Sequence, residues 1–391
     1  MHKKNNRADP LLILRGIACL AVLIWHIGPP KRYLYINNIN LSWITFPSGI
    51  MAVWIFFILS GYLIGKNFYL GKYTLSKKGL YRFFYNRLIR VAPLYFFNII
   101  FLSVFVYPEV WKNSPQMLLR LFTFTANNFW LLWNFNAPLW AVSVEIQFYL
   151  LSPLIFLFMI YLPKKLPFYL IFIYIILLFG VLVRTHFYIK YLVFTSYNYI
   201  SYLYTPLITN IDFFLFGFFL NPIIGKYREL NKRIFFNNHL SRLSTITLII
   251  SLVSLYLFSS YSSTYFFPEY SKYKDYVIFL LPPITCLVIG YYICYFELPK
   301  YGNSFHLYRR KLNFSSILAN PVRFLEIFGL LSYGIYIWHR PIIEKLTLIN
   351  SNYFSMPAFL EKFIPGFLIT LTVSIITYII IEKPALSLKK K

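Results

Sequence analysis

The chain has 391 residues, of which 59% are hydrophobic, 22% aromatic and only 13% charged, with a formal net charge of +26. Soluble domains average about 25% charged residues, so composition excludes a soluble globular fold. Apolar runs of about 20 residues, rather than short alternating ones, exclude a β-barrel and predict an all-α, polytopic membrane bundle.

Ten spans are predicted, at about 11–28, 46–65, 91–110, 138–162, 167–189, 199–224, 243–262, 275–296, 324–341 and 363–382. Together they read as a single membrane domain, 1–391. It has an N-terminal tail at 1–10, a basic loop at 66–90 and a basic tail at 383–391. With the N-terminus inside, 26 Lys and Arg fall in cytoplasmic segments and 11 on the outer side, Arg15 being the remaining one of 38. This bias places both termini in the cytoplasm. It also explains the positive charge without nucleic acid, for which no soluble segment is long enough.

The tail carries Lys3, Lys4 and Arg7 before an apolar core, as a signal peptide would. No small-x-small cleavage site follows and Arg15 lies inside the core, so the segment reads as a retained first span. Within it, LRGIACLAVLIWHI sets Arg15 and His26 11 residues apart. That is about 20° beyond three full turns and roughly 16 Å along the axis, so both share one face. Gly28-Pro29-Pro30 then ends the helix. Ionisable groups in a span usually face a cavity or a partner, although an interfacial His and a snorkelling Arg would produce the same pattern.

In the second span, Ser60-Gly61 offers a small-residue patch where a helix or a slender ligand arm passes closely. The loop KKGLYRFFYNRLIRVAPLY carries Arg82, Arg87 and Arg90. Arg87 and Arg90 are i, i+3 and form one guanidinium patch suited to phosphates, or to anionic lipid headgroups. The segment 115–135 is aromatic but broken by Thr and Asn. It is expected to be interfacial or re-entrant, the alternative being an eleventh span. Its Trp130 and Trp133 suit either interface anchoring or stacking on sugar rings.

Glu145 lies in the fourth span and His339 in the ninth. His26 and His339 fall roughly 22 Å above the inner surface, and Glu145 about 20 Å, in a core about 30 Å thick. A His beside a carboxylate is a usual general-base arrangement. Asp212 in the sixth span is a weaker polar candidate. Cys19, Cys286 and Cys294 lie in apolar runs without metal-ligand spacing, so no metal is expected.

Seven stretches in order then resemble the acyltransferase-3 family of integral membrane O-acyltransferases. They are LRGIACLAVLIWH, VWIFFILSGYLIG, YNRLIRVAPLYFF, PLWAVSVEIQFYLLSP, NIDFFLFGFF, LLSYGIYIWHRP and YIIIEKPAL, spanning residues 11–385. Two positions depart from the family pattern: Leu12 stands where an acid often precedes the first-span Arg, and Ile146 where a second Glu follows Glu145. The esterase-like domain fused to some members has no counterpart before Lys391.

The resemblance implies transfer of an acyl group, usually acetyl, from cytoplasmic acetyl-CoA to a glycan hydroxyl on the outer side of a bacterial inner membrane. O-antigen, capsule, exopolysaccharide, a peptidoglycan sugar and lipid-linked sugar all fit as acceptors. It casts Arg15, Arg87 and Arg90 as the cofactor anchors and His26 as general base or acyl-accepting nucleophile. Glu145 would orient His26, and His339 would support the same site. Residues alone leave two competing readings. One is a transporter or flippase of lipid-linked sugars, against which no internal repeat is found. The other is a glycan polymerase or glycosyltransferase, against which no D-x-D site is found.

Overall fold

A computed structural model of the chain describes residues 8–30, 33–127, 129–191, 195–230, 238–264, 275–298, 314–347 and 355–390. Apart from a hairpin of two-residue strands, Tyr35–Ile36 with Ile39–Asn40, the described elements are helical. Among the described residues, eight helices are long and apolar enough to cross a membrane. The protein is a polytopic helical membrane protein.

Among the described residues, the eleven longer helices are α1 (Pro10–Ile27), α2 (Gly49–Tyr69), α3 (Lys77–Phe101), α4 (Pro115–Phe122), α5 (Leu139–Tyr161), α6 (Leu166–Lys190), α7 (Ile211–Leu230), α8 (Asn238–Thr264), α9 (Leu281–Glu297), α10 (Phe324–Thr347) and α11 (Met356–Thr377). Two expected spans, α7 and α10, are helical but fall outside the eight. Asp212, Asn221, Lys226 and Arg228 dilute α7, and Glu326, His339 and Arg340 dilute α10.

Helix α1 starts where Asp9 caps it, its carboxylate accepting from the Leu11 and Leu12 amides. It stops at Gly28, whose φ of 80° is a left-handed stop favourable only to glycine. Helix α2 is the centre of the bundle, buried on all sides from Gly49 to Phe68. Helices α6 and α11 turn most of their side chains outward, as lipid-facing helices do. Lys66 and Glu297 form an ion pair of 2.7 Å near the ends of α2 and α9.

Small residues set the closest approaches. A Cβ on Gly16 would collide with the Leu325 carbonyl, and one on Gly329 with the Leu12 carbonyl. Helices α1 and α10 therefore touch backbone to backbone. Contacts climb both helices in the same direction. Arg15 Nη2 donates to Ser332 Oγ at 3.1 Å, Cys19 Sγ lies 3.7 Å from Ser332 O, and His26 meets His339. Gly16 and His26 are ten residues apart, and so are Gly329 and His339. Two parallel helices clamped at the glycines thus bring both histidines to one level, about 15 Å further along. Gly329→Val is expected to wedge α1 off α10 and separate the histidines. We expect that variant to insert normally and lose, by about tenfold or more, any activity that depends on the histidine pair. Wild-type turnover from a correctly inserted variant would refute the clamp.

Three expected boundaries change. The span at 199–224 is broken: a π-helical turn, Tyr199–Tyr204, precedes α7, which starts only at Ile211. Pro206 between them has no N–H and keeps Thr205 from continuing the helix. The basic loop at 66–90 is mostly helix. Helix α2 runs to Tyr69, and α3 starts at Lys77, where Ser76 caps it by accepting from the Gly79 amide at 3.1 Å. Hydropathy marks charged residues as loop, but long cationic side chains ride on a helix end with their heads in water. The segment at 115–135 holds two short helices, α4 and Phe129–Leu132, of eight and four residues, neither long enough to span.

Candidate active site

The two histidines meet directly. His339 Nε2 lies 3.2 Å from His26 Nδ1, with ring centroids 4.8 Å apart. Backbone carbonyls fix their tautomers, because a carbonyl only accepts. His339 Nδ1 lies 2.7 Å from Tyr336 O and 3.1 Å from Ile335 O, so Nδ1 holds its proton and Nε2 is bare. His26 Nδ1 lies 2.8 Å from Val22 O, so it too is the protonated nitrogen, shared with the bare Nε2 of His339. His26 Nε2 is then left as an acceptor without a protein partner among the described residues. His339 is wholly buried, and His26 is the member of the pair that lines a cavity.

That cavity, of about 570 Å³ with its opening, lies at the outer end of α1, taking the N-terminal side as inner. Besides His26 its walls include the aromatic side chains of Trp25, Trp140, Tyr199, Tyr204 and Tyr336. Aromatic faces of this kind suit the C–H face of a sugar ring while His26 offers a base. Trp140 and Tyr204 pack ring against ring at 4.8 Å, which holds the wall in place.

A second cavity, of about 470 Å³, lies on the inner side and is lined by Arg15, Ser60, Glu145, Ser332 and Tyr333, among others. The two cavities share Val53 and Tyr336 in their linings. Arg15 and His26, one face of one helix, therefore serve different chambers that meet at those two residues.

Glu145 does not orient His26. Its Oε1 accepts from Ser60 Oγ and from Tyr149 OH, both at 2.6 Å, and it faces the inner cavity with Arg15. The depth estimate placed it near the histidines, but α5 presents it one chamber lower. The partner that holds the His26 ring is His339. Ser60 is accounted for by its bond to Glu145, and Gly61 by the backbone of Phe214 packed against it.

The arginines of α3 stand beside this inner chamber. The Arg87 guanidinium sits over the Phe83 and Tyr149 rings, 5.7 and 5.5 Å from their centroids. Arg82 lies over Tyr73 at 5.5 Å. Arg90 interacts electrostatically with Arg15, Tyr149 and Glu382. The Nε atoms of Arg15, Arg82 and Arg87 are buried without a hydrogen-bond partner among the described residues. Buried guanidinium donors left open in one region fit an anion such as a phosphate.

Glu382 belongs to this cluster although residue patterns did not single it out. It is buried in a π-helical turn, Tyr378–Glu382, near Arg90 and Arg15, with one carboxylate oxygen unpaired among the described residues. Its only sequence signal is the E-x-P stretch, which falls where a basic span end is expected. Tyr336, shared by both chambers, carries no sequence signal beyond its place in the His339 stretch.

The other candidates have structural partners. Asp212 pairs with Arg184 at 2.8 Å, both buried, and Arg184 also donates to Thr209 O at 2.9 Å. Trp133 stacks beneath the Arg340 guanidinium at 5.2 Å. The Trp130 side chain lies outside the described residues. Cys19 and Cys286 are fully buried and Cys294 partly so.

A family model described as an acyltransferase domain matches residues 11–379. The chain is 32% identical over 172 residues to the peptidoglycan O-acetyltransferase OatA of Listeria monocytogenes, covering 39% of this chain and 25% of that protein. It is 24% identical over 391 residues to the O-acetyltransferase OatA of Staphylococcus aureus, covering 95% of this chain and 56% of that protein. The chain thus spans about half the length, or less, of the curated relatives it matches. No solved structure matches it.

Proposed function

The chain belongs to the acyltransferase-3 family, and from that premise we propose that it moves an acetyl group from acetyl-CoA on the inner side of a bacterial cell membrane to a hydroxyl of an envelope glycan on the outer side. Family membership displaces the transporter and glycosyltransferase alternatives. The observation that carries the reading is the pair of cavities. One is lined by Arg15, with Arg90 near Arg15 and Arg87 over the Tyr149 ring that bonds its Glu145, the other is lined by His26, and both are lined by Val53 and Tyr336.

In this mechanism Arg87, Arg90 and Arg15 hold the phosphates of coenzyme A, Arg15 and Arg87 through their open Nε donors. The thioester then reaches the junction at Val53 and Tyr336. A sugar hydroxyl lies in the outer cavity against the aromatic wall. His26 Nε2 takes the hydroxyl proton as the oxygen attacks the thioester carbonyl. The C–S bond breaks as the ester C–O bond forms, and the same nitrogen returns the proton to the leaving sulfur. The positive charge that His26 carries between those steps is shared with the bare Nε2 of His339. Glu145 holds Tyr149, over whose ring Arg87 sits, so its part is to shape the cofactor end. The name of the Listeria monocytogenes relative favours a peptidoglycan sugar as acceptor, ahead of O-antigen, capsule or exopolysaccharide.

The test is direct. Protein purified in detergent is given radiolabelled acetyl-CoA with and without peptidoglycan fragments, and free coenzyme A and labelled glycan are measured. Equal release of coenzyme A and labelling of glycan are expected. Neither binding nor turnover of acetyl-CoA under any acceptor condition would overturn the reading.

A further inference from the structure

We propose that Asn136 is a positioning residue for His339, acting through a backbone carbonyl that Pro341 sets free; the inference rests on the histidine pair being the acid–base apparatus.

Pro341 lies inside α10. It has no N–H, so the carbonyl four residues earlier, Ile337 O, lacks its regular helical donor. That carbonyl is neighbour to the one that holds the catalytic pair, Tyr336 O, 2.7 Å from His339 Nδ1. Asn136, from the segment entering α5, supplies the missing donor. Its Nδ2 lies 3.0 Å from Ile337 O and 2.9 Å from Asn98 Oδ1 on α3. An amide nitrogen has two hydrogens, and both are used.

Asn98 and Asn136 are both completely buried. Their remaining polar atoms, Asn98 Nδ2 and Asn136 Oδ1, have no partner among the described residues. Two buried amides are thus held in place, and the bond they make to the rest of α10 is the one to Ile337 O. Such a costly arrangement is explained if the carbonyl has to be satisfied at that turn. Without Asn136, Ile337 O would turn toward any donor in reach, the ring N–H of His339 included. The His339 ring would then lose the orientation that presents Nε2 to His26.

The experiment uses the full chain in detergent and compares Asn136→Ala, Asn136→Asp, Pro341→Ala and the Asn136→Ala, Pro341→Ala double variant. Asp is the same size as Asn but offers no N–H, and a buried carboxyl carries its own cost, so the Pro341→Ala background is what separates the hydrogen bond from packing. We expect both Asn136 variants to lower kcat about tenfold or more, with KM for acetyl-CoA nearly unchanged. In the Pro341→Ala background, a restored N–H reaches Ile337 O, and the cost of Asn136→Ala is expected to fall to about threefold or less.

A second readout does not need turnover. In 15N-histidine-labelled protein, the ring resonances assigned by their loss in His339→Gln should move in both Asn136→Ala and Asn136→Asp. They should return toward wild type in the double variant. Wild-type kcat for Asn136→Asp, unmoved ring resonances, or an equal loss from Asn136→Ala in both backgrounds would overturn the proposal. If the wild-type protein turns over no acetyl-CoA, the functional reading fails, and the resonances alone decide the role of Asn136.

Discussion

Replacing His26 with alanine is expected to slow acetyl transfer by about 10²- to 10⁴-fold, the usual worth of a positioned acid–base group. At 1.36 kcal/mol for each tenfold, that is about 2.7–5.5 kcal/mol of transition-state stabilisation. The expectation follows from the tautomers. Carbonyl oxygens at Val22, Ile335 and Tyr336 hold the Nδ1 protons of both rings, leaving Nε2 of His26 to do the chemistry. The variant should still insert, because only the cavity wall changes, and should still bind acetyl-CoA, because the arginines serve the other chamber. Rates of coenzyme A release and an independent binding isotherm separate these effects. Full envelope acetylation in cells carrying only the variant would remove His26 from the reaction. Label retained on wild-type protein without acceptor would redirect the mechanism to an acyl-histidine intermediate.

Removing Arg87 and Arg90 together is expected to raise the dissociation constant of coenzyme A by about 10- to 100-fold. Hydrogen bonds to charged groups contribute about 1.5–3 kcal/mol each, and 1.4 kcal/mol is tenfold. Both arginines are partly exposed, so screening brings the sum below that of two buried contacts. The salt dependence of binding should weaken in the double variant, since fewer screened contacts remain. A dissociation constant equal to wild type would assign these residues to lipid headgroups or to membrane topology instead.

Much of this was visible in the residues. Long apolar runs give helices because lipid leaves the backbone no other partner, so the bundle was legible. Arg15 and His26 were legible as a pair because helical periodicity is fixed within one segment. The depth of His339 placed it near His26 because α1 and α10 run parallel from a common glycine contact. Glu145 shows where that method stops. Depth along a helix says nothing about rotation around it or about which neighbour a side chain meets, and Glu145 turned toward Ser60 and Tyr149. Glu382 was hidden for a related reason, an acid at a span end dense with lysine. Asn136 was beyond reach, since its meaning depends on a carbonyl 201 residues away that a proline had released.

The junction at Val53 and Tyr336 has a consequence for the cell's energy economy. In the mechanism proposed above, coenzyme A would stay in one chamber and the sugar in the other, so the two-carbon group would be the cargo that crosses. Val53 and Tyr336, which line both chambers, would then stand as the bulkhead between them. Such an enzyme would hand material outward without rocking its helices, and without opening a conduit through which protons would short-circuit the membrane potential. The same bulkhead would gauge acyl length, so trimming Val53 is expected to admit a longer chain.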